Sequence, residues 1–161
     1  MRPTIDVTQM AAARLWAERS TCSRGQVGAV ISLEGRTVGT GYNGAPAGVP
    51  HCDHDSQGFT PTAQSPFDWG RRLTPIEPYE TKDPGCRLSA HAEANAIAYA
   101  ARHGVAVGGA TIYVTMSPCY ACAQLIIAAG LIRVVYDRPY RDTQGVSLLG
   151  LAGVEVETTT P

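Results

Sequence analysis

Residues 110–136, ATIYVTMSPCYACAQLIIAAGLIRVVY, contain the pattern that decides the fold. Residues 110–115 and 131–136 are rich in β-branched side chains and predict strands, whereas residues 119–129 predict a helix that ends at Gly130. A strand, a helix and a second strand at this spacing indicate a βαβ unit, whose connection is right-handed and whose strands are parallel. We therefore expect a sheet that is at least partly parallel.

Shorter patterns extend this unit in both directions. Residues 27–32 and 37–42 flank Glu34-Gly35 and predict a β-hairpin, and residues 154–156 predict an edge strand. Residues 91–103 and 143–152 predict two further helices. The whole chain, residues 1–161, is thus expected to be one α/β domain with a mixed five-stranded sheet and helices on both of its faces.

The N-terminal segment predicts one more helix, over residues 8–19. Thr8 is expected to cap it. Its apolar face is predicted to hold Met10, Ala13, Leu15 (with Trp16) and Ala17.

Residues 44–88 differ from the rest of the chain. Seven of the eleven prolines lie here, and apolar periodicity disappears. A loop of this length inside a compact domain is either functional or held in place by another interaction. It carries His51, Cys52, His54 and Cys86, which are candidates for such an interaction.

Composition excludes several classes of function. The net charge is −1 and no basic block is present, which argues against a nucleic-acid polymer as partner. No apolar leader or membrane-length run is visible, so no membrane association is expected. Five cysteines without framework spacing favour metal binding in a reducing compartment. We expect a soluble cytoplasmic protein.

Two short motifs supply candidate zinc ligands. His91-Ala92-Glu93 offers an imidazole, and Pro118-Cys119-Tyr120-Ala121-Cys122 offers two thiols. Three such ligands leave the fourth tetrahedral position of Zn²⁺ open to water, and Glu93 would act on that water as a general acid and base. The pattern H-x-E…P-C-x-x-C is the signature of zinc-dependent nucleobase deaminases. A closed structural zinc site or a redox pair is the alternative for the two thiols.

Helix geometry sets a condition on this interpretation. His91 and Glu93 are two residues apart, which places their side chains about 200° apart on a regular helix. Both can face one metal ion only if the ion lies at the end of the helix.

Longer segments resemble the deoxycytidylate (dCMP) deaminases of the cytidine deaminase superfamily from bacteria and phages. These segments are Arg19-Ser20-Thr21-Cys22, residues 27–31, Gly41-Tyr42-Asn43-Gly44-Ala45-Pro46-Ala47-Gly48, Pro50-His51-Cys52, residues 91–97 and residues 113–119. The Gly-Tyr-Asn-Gly-x-Pro-x-Gly segment narrows the superfamily to the dCMP deaminases. The resemblance implies a three-layer α-β-α sandwich and hydrolysis of dCMP to dUMP and ammonia, which contributes to dTTP supply.

The resemblance also assigns roles to single residues. It implies zinc on His91, Cys119 and Cys122, with Glu93 as the proton shuttle. For the substrate it implies Asn43 at the sugar 3′-hydroxyl, Tyr140 against the deoxyribose and Ala92 as a further substrate-binding residue. We favour Arg24 for the 5′-phosphate over Arg138 and Arg141.

A second zinc site is implied by a subset of the family. Its ligands would be Cys22, Cys52, Cys86 and His54, with His51 as the alternative to His54. A closed zinc site would also supply folding free energy that a proline-rich loop lacks. The alternative is three free buried cysteines and two surface histidines.

The family further implies a homohexamer that is activated by dCTP and inhibited by dTTP. Gly44, Pro46 and Gly48 would line the effector site, and Mg²⁺ would accompany a nucleotide effector.

Three other functions compete with this prediction. One is a deaminase of 5-methyl-dCMP, 5-hydroxymethyl-dCMP or another cytosine nucleoside or nucleotide. The second, a tRNA adenosine deaminase, would need a basic face and stacking aromatic residues. The third is a zinc-stabilised binding module without catalysis.

Overall fold

The computed structural model describes residues 2–22, 25–47 and 89–159. These residues form five strands and four helices. In chain order they are α1 (Ile5–Ala17), β1 (Gly28–Leu33), β2 (Arg36–Tyr42), α2 (Ala92–Arg102), β3 (Thr111–Met116), α3 (Tyr120–Ala128), β4 (Arg133–Arg138), α4 (Gln144–Leu151) and β5 (Glu155–Thr158).

The strands form one sheet in the order β2-β1-β3-β4-β5. β1 is antiparallel to β2 and β3, whereas β3, β4 and β5 are parallel to one another. The predicted mixed sheet, its parallel β3-α3-β4 unit and the edge position of β5 are therefore confirmed. Glu34 and Gly35 both have positive φ, 50° and 77°, which is the backbone of the tight turn expected in the hairpin.

Alternating side chains place helices on both faces of the sheet. Ile112, Val114 and Val134 belong to a core cluster that also contains residues of α2, α3 and α4. Tyr113 and Val135, one position along each strand, pack with Met10 and Ala13 of α1. Because neighbouring residues of a strand point to opposite faces, this separation defines three layers. The predicted α-β-α sandwich is confirmed.

The prediction for α1 was wrong in its cap and in part of its apolar face. The helix begins at Ile5, because the Thr4 hydroxyl accepts a hydrogen bond from the Val7 amide and caps it. Thr8 lies inside the helix. The buried stripe is Met10, Ala13 and Ala17, whereas Leu15 is 65% exposed because it falls off this spacing.

Among the described residues, none of the helices combines the length and the apolar character required to cross a bilayer.

Candidate active site

The first turns of α2 and α3 bring the three predicted metal ligands together. His91 is the N-cap of α2 and Cys119 is the N-cap of α3, and neither side chain caps its own helix. Instead, His91 Nδ1 lies 3.4 Å from Cys119 Sγ and 3.3 Å from Cys122 Sγ. The ligand atoms of all three residues lie within 4.8 Å of one another. One nitrogen and two sulfurs converging in this way fit the donor set and size of a zinc site.

Glu93 meets the condition that the sequence set for it. His91 has extended backbone, with ψ of 153°, so it precedes the helix rather than lying on one of its faces. Glu93 lies in the first turn, is 4% exposed and is hydrogen-bonded to Cys122. Burial raises the pKa of the Glu93 carboxyl, and this outweighs the opposing effect of a backbone amide. The carboxyl group thus lies beside the three predicted metal ligands, where burial favours its protonated form.

The two thiols differ in their acidity. A hydrogen bond from Cys122 and a second from His91 lower the pKa of Cys119 to about 4, despite its partial burial. The pKa of Cys122 is raised, because its thiol donates to Cys119 and because it is buried. The two pKa values are thus shifted in opposite directions, and bound zinc would displace any proton left on either thiol because a coordinating thiol is deprotonated.

Close backbone contact fixes α2 against the sheet. A Cβ atom on Gly41 of β2 would lie 2.2 Å from the carbonyl oxygen of Ala92, a separation that no side chain allows. The start of α2 therefore lies directly on β2 only because residue 41 is glycine.

The loops after β3 and β4 are joined at Ser117. Its amide donates to the carbonyl of Arg138 at 2.9 Å, and its hydroxyl accepts from the amide of Tyr140 at 2.7 Å. These bonds hold Tyr140 beside the segment that leads into Cys119. The sequence alone indicated no role for Ser117, although this residue stands immediately before the Pro-Cys motif.

The side chain of Asn43 has a fixed orientation. Its Oδ1 accepts from the Val27 amide at 2.8 Å and from the Ser20 hydroxyl at 2.7 Å, and its Nδ2 donates to the Gly25 carbonyl at 2.8 Å. Backbone groups cannot exchange donor and acceptor roles, so they determine which end of the amide is oxygen. Among the described residues, these bonds leave one Nδ2 hydrogen for a ligand, which Asn43 would therefore bind as a donor.

A cavity of about 270 Å³ lies beside the predicted metal ligands. Asn43, Ala92 and Tyr140, all predicted to bind substrate, line it together with His91, Glu93 and Cys119. Arg141 also lines the cavity, and its guanidinium carbon lies 5.1 Å from the centre of the Tyr140 ring. Arg138 instead donates to the Gln26 carbonyl at 2.9 Å. Arg24, our preferred phosphate ligand, lies outside the described residues.

The predicted second zinc site is described only at one ligand. Cys22 is half-buried and lines the cavity. Cys52, His54 and Cys86 (and His51) lie outside the described residues, so this site stays a prediction.

The predicted effector loop is attached to the metal site at its first residue. Gly44 and Ala90 exchange two backbone hydrogen bonds, of 3.1 and 2.8 Å, and Ala90 immediately precedes His91. Pro46 follows two residues later, and Gly48 lies outside the described residues.

Comparison with known proteins gives a consistent result. Residues 3–138 match the family described as the cytidine and deoxycytidylate deaminase zinc-binding region. A deoxycytidylate deaminase of Mycobacterium phage D29 is 40% identical over 137 residues, which cover 85% of this chain and 97% of that protein. The deoxycytidylate deaminase of Enterobacteria phage T2 is 36% identical over 168 residues, which cover 92% of this chain and 89% of that protein.

A solved structure resembles the whole fold. The dCMP deaminase from the cyanophage S-TIM5, crystallised in complex with dCMP and dUMP, superposes with a TM-score of 0.75 at 30% identity. The match covers 99% of each chain.

Proposed function

The chain belongs to the cytidine and deoxycytidylate deaminase family, and from this membership we propose that it hydrolyses dCMP to dUMP and ammonia. The observation that carries the proposal is a single cavity that joins a buried glutamate to a His-Cys-Cys cluster and to Asn43 and Tyr140. The dCMP and dUMP bound to the cyanophage relative support the choice of nucleotide.

The chemistry needs a proton carrier. Zinc on His91, Cys119 and Cys122, when bound, supplies a Lewis acid that makes water nucleophilic at neutral pH. Glu93 takes a proton from that water and transfers it to the ring nitrogen as the water oxygen bonds to C4. Glu93 then passes the second water proton to the amino group, which leaves as ammonia. Its raised pKa favours this role, because burial disfavours the charged carboxylate and so makes Glu93 a stronger proton acceptor.

Recognition of the deoxyribose falls to Asn43 and Tyr140. Since Asn43 would bind a ligand as a donor, we propose that its Nδ2 donates to the oxygen of the sugar 3′-hydroxyl. Tyr140 packs against the sugar where a 2′-hydroxyl would otherwise fit, and Ala92 borders the base. The 5′-phosphate would bind Arg24, and Arg141 is the alternative that the cavity itself offers.

We retain the second zinc as a proposal, with Cys22, Cys52, Cys86 and His54 as ligands. Such a site would order the proline-rich insert, residues 44–88, within a single domain. We expect two zinc ions per chain in the purified protein and one in the Cys86→Ser variant, which would also melt at a lower temperature. One zinc ion per chain in the unmodified protein would refute the site.

Regulation and assembly are further parts of the proposal. The paired hydrogen bonds between Gly44 and Ala90 would let a nucleotide bound near Gly44, Pro46 and Gly48 displace the segment before His91. The effectors would be dCTP, with Mg²⁺, as activator and dTTP as inhibitor of a homohexamer. A cytoplasmic location would keep the thiol ligands reduced.

The decisive experiment measures ammonia release from dCMP, CMP, deoxycytidine, dCTP and 5-methyl-dCMP, each with and without dCTP or dTTP. We expect turnover of dCMP alone among the unmodified substrates, because the sugar and the phosphate are both recognised. Preferred turnover of 5-methyl-dCMP would instead identify a deaminase of modified nucleotides. Failure to release ammonia from any of them by the zinc-loaded protein would refute the proposed function.

A further inference from the structure

Gly145, in the first turn of α4, lies against the backbone of a metal ligand. A Cβ atom at this position would stand 2.2 Å from the Pro118 carbonyl oxygen and 2.7 Å from the carbonyl carbon of Cys119. Favourable contacts between carbon atoms begin at about 3.5 Å, so even one methyl group would require a shift of about 1 Å. The peptide between Pro118 and Cys119 is thus in direct contact with α4.

This contact reaches the metal site through one hydrogen bond. The Cys119 carbonyl accepts from the Ala123 amide at 2.9 Å, which is the first bond of α3, and the same residue carries a ligand sulfur. Pro118 is fully buried, so the segment has little room to move elsewhere. A displaced peptide would therefore carry Sγ of Cys119 away from His91 and Cys122.

The start of α4 is itself held in place. The amide of Gln144 donates to Asp142 at 2.8 Å, and Leu149, one turn after Gly145, is completely buried in the core. This helix lies beyond residue 138, where the match to the family ends.

We propose that Gly145 is a positioning residue for the zinc site, because its missing side chain lets α4 hold Cys119 at the place where its sulfur meets the metal. The inference rests on the zinc site of the proposed function, but not on the identity of the substrate.

The chain provides a matched control in the same helix. Gly150 also lies in α4, and a Cβ atom there would meet none of the described residues within 4 Å. The Gly145→Ala and Gly150→Ala variants therefore add the same methyl group and the same helix propensity. One position lies near the start of α4 and the other near its end, and the added methyl group meets the Pro118–Cys119 backbone only at residue 145.

The experiment compares zinc-loaded wild type with both variants. It measures the rate of zinc transfer to a chromophoric chelator, then kcat and KM for dCMP. We expect Gly145→Ala to release zinc about tenfold faster and to lose about 10- to 100-fold in kcat, with KM within about threefold. Gly150→Ala should match wild type. Zinc release from Gly145→Ala within twofold of Gly150→Ala would overturn the proposal.

A second pair of variants decides the question if Gly145→Ala does not fold. Leu149→Ala loosens α4 from the core, whereas Met10→Ala makes a comparable cavity under α1, in a different cluster. We expect about fivefold faster zinc release from Leu149→Ala than from Met10→Ala. Equal rates would overturn the proposal. A wild type that holds zinc but deaminates no nucleotide would refute the proposed function and leave this comparison intact.

Discussion

Glu93 and Asp6 are carboxylic acids in opposite electrostatic settings. Glu93 is buried beside the predicted metal ligands, and burial raises its pKa. Asp6, in the first turn of α1, accepts two hydrogen bonds from Arg133, at 3.0 and 2.9 Å, and one from the Tyr113 hydroxyl at 2.6 Å. Hydrogen bonds from Arg133 above all lower the pKa of Asp6 to about 2.

This difference in pKa indicates a structural role for Asp6 and is consistent with the catalytic role proposed for Glu93. Asp6 stays ionised and ties α1 to β4, so its charge contributes to stability. Glu93 is held where burial makes its charge costly, so its carboxyl group holds a proton more readily than that of Asp6. The pair predicts that the same chemical change will affect turnover at one position and stability at the other.

The largest expected effect is that of Glu93→Gln. Removing the proton carrier should lower kcat by about 1,000-fold, while zinc content and melting temperature are kept, because the amide fits the same space. Asp6→Asn is the matched change. It should leave kcat within twofold and lower the free energy of unfolding by about 1–2 kcal/mol, because hydrogen bonds to a charged group are lost.

Kinetics, zinc analysis and urea unfolding of both variants provide the test. If Glu93→Gln kept turnover within tenfold of wild type, the two acids would not differ in role. That result would favour a zinc-stabilised binding module over an enzyme.

A smaller effect is expected from Asn43→Asp, which changes a residue that lines the cavity, as Glu93 does, and leaves Asp6 and its partners unchanged. The carboxylate cannot donate to the Gly25 carbonyl or to a sugar hydroxyl, so the KM for dCMP should rise about tenfold and stability should fall by about 1–2 kcal/mol. Asn95→Asp is the control, because Asn95 Nδ2 also donates to a backbone carbonyl, that of Tyr42, at 2.7 Å. It should lose similar stability without the rise in KM. Equal KM values in the two variants would contradict the assignment of Asn43 as a substrate-binding residue.

The stability that Asp6 contributes should depend on pH, and unfolding in acid measures this dependence. The folded pKa of about 2 lies below the ordinary value near 4, so the folded protein binds this proton less readily than the unfolded chain. Its stabilising effect is complete above pH 4 and is lost as pH falls from 4 to 2. Because the Asp6 carboxylate is partly exposed, we expect its ionisation to contribute about 1 kcal/mol to the free energy of unfolding. Urea unfolding of wild type and Asp6→Asn should converge over this range; a constant difference would contradict the assignment.

The smallest effect is expected at Arg14, which pairs with Asp137 through bonds of 2.7 and 2.6 Å on the same side of the sheet. The Arg14 side chain is 56% exposed, so Arg14→Gln should cost about 0.5 kcal/mol, and 1 M salt should abolish the difference. Thermal unfolding at low and high salt measures both. A loss of more than 2 kcal/mol would contradict this prediction and would show that the Arg14–Asp137 pair contributes at least as much to stability as the bonds of Asp6.

Local pattern predicted most of the fold because the elements have clear periods. The β-branched runs, the Glu34-Gly35 turn and the Gly130 helix stop lie close in sequence to what they determine. The helix cap failed because Thr4 and Thr8 are both competent caps, and only the backbone at Thr4 selects between them.

The candidate site was predictable where its residues form motifs. His91 and Glu93 are two residues apart, and Cys119 and Cys122 are three residues apart. This spacing was sufficient to predict three zinc ligands and a proton carrier. Asn43 acting as a donor and the contact of Gly145 with Cys119 depend on tertiary neighbours. Spacing in the sequence carries no signal for either.

The described sheet ends at β5, and the charges of this strand have a consequence for the protein at high concentration. Val156 packs against the core, whereas Glu155 and Glu157 lie outside it, near Arg133 of β4. An outermost strand presents unpaired backbone groups that can recruit the edge of another molecule, and charged side chains oppose such pairing. The two glutamates of this four-residue strand thus oppose edge-to-edge aggregation, an effect that is independent of nucleotide chemistry.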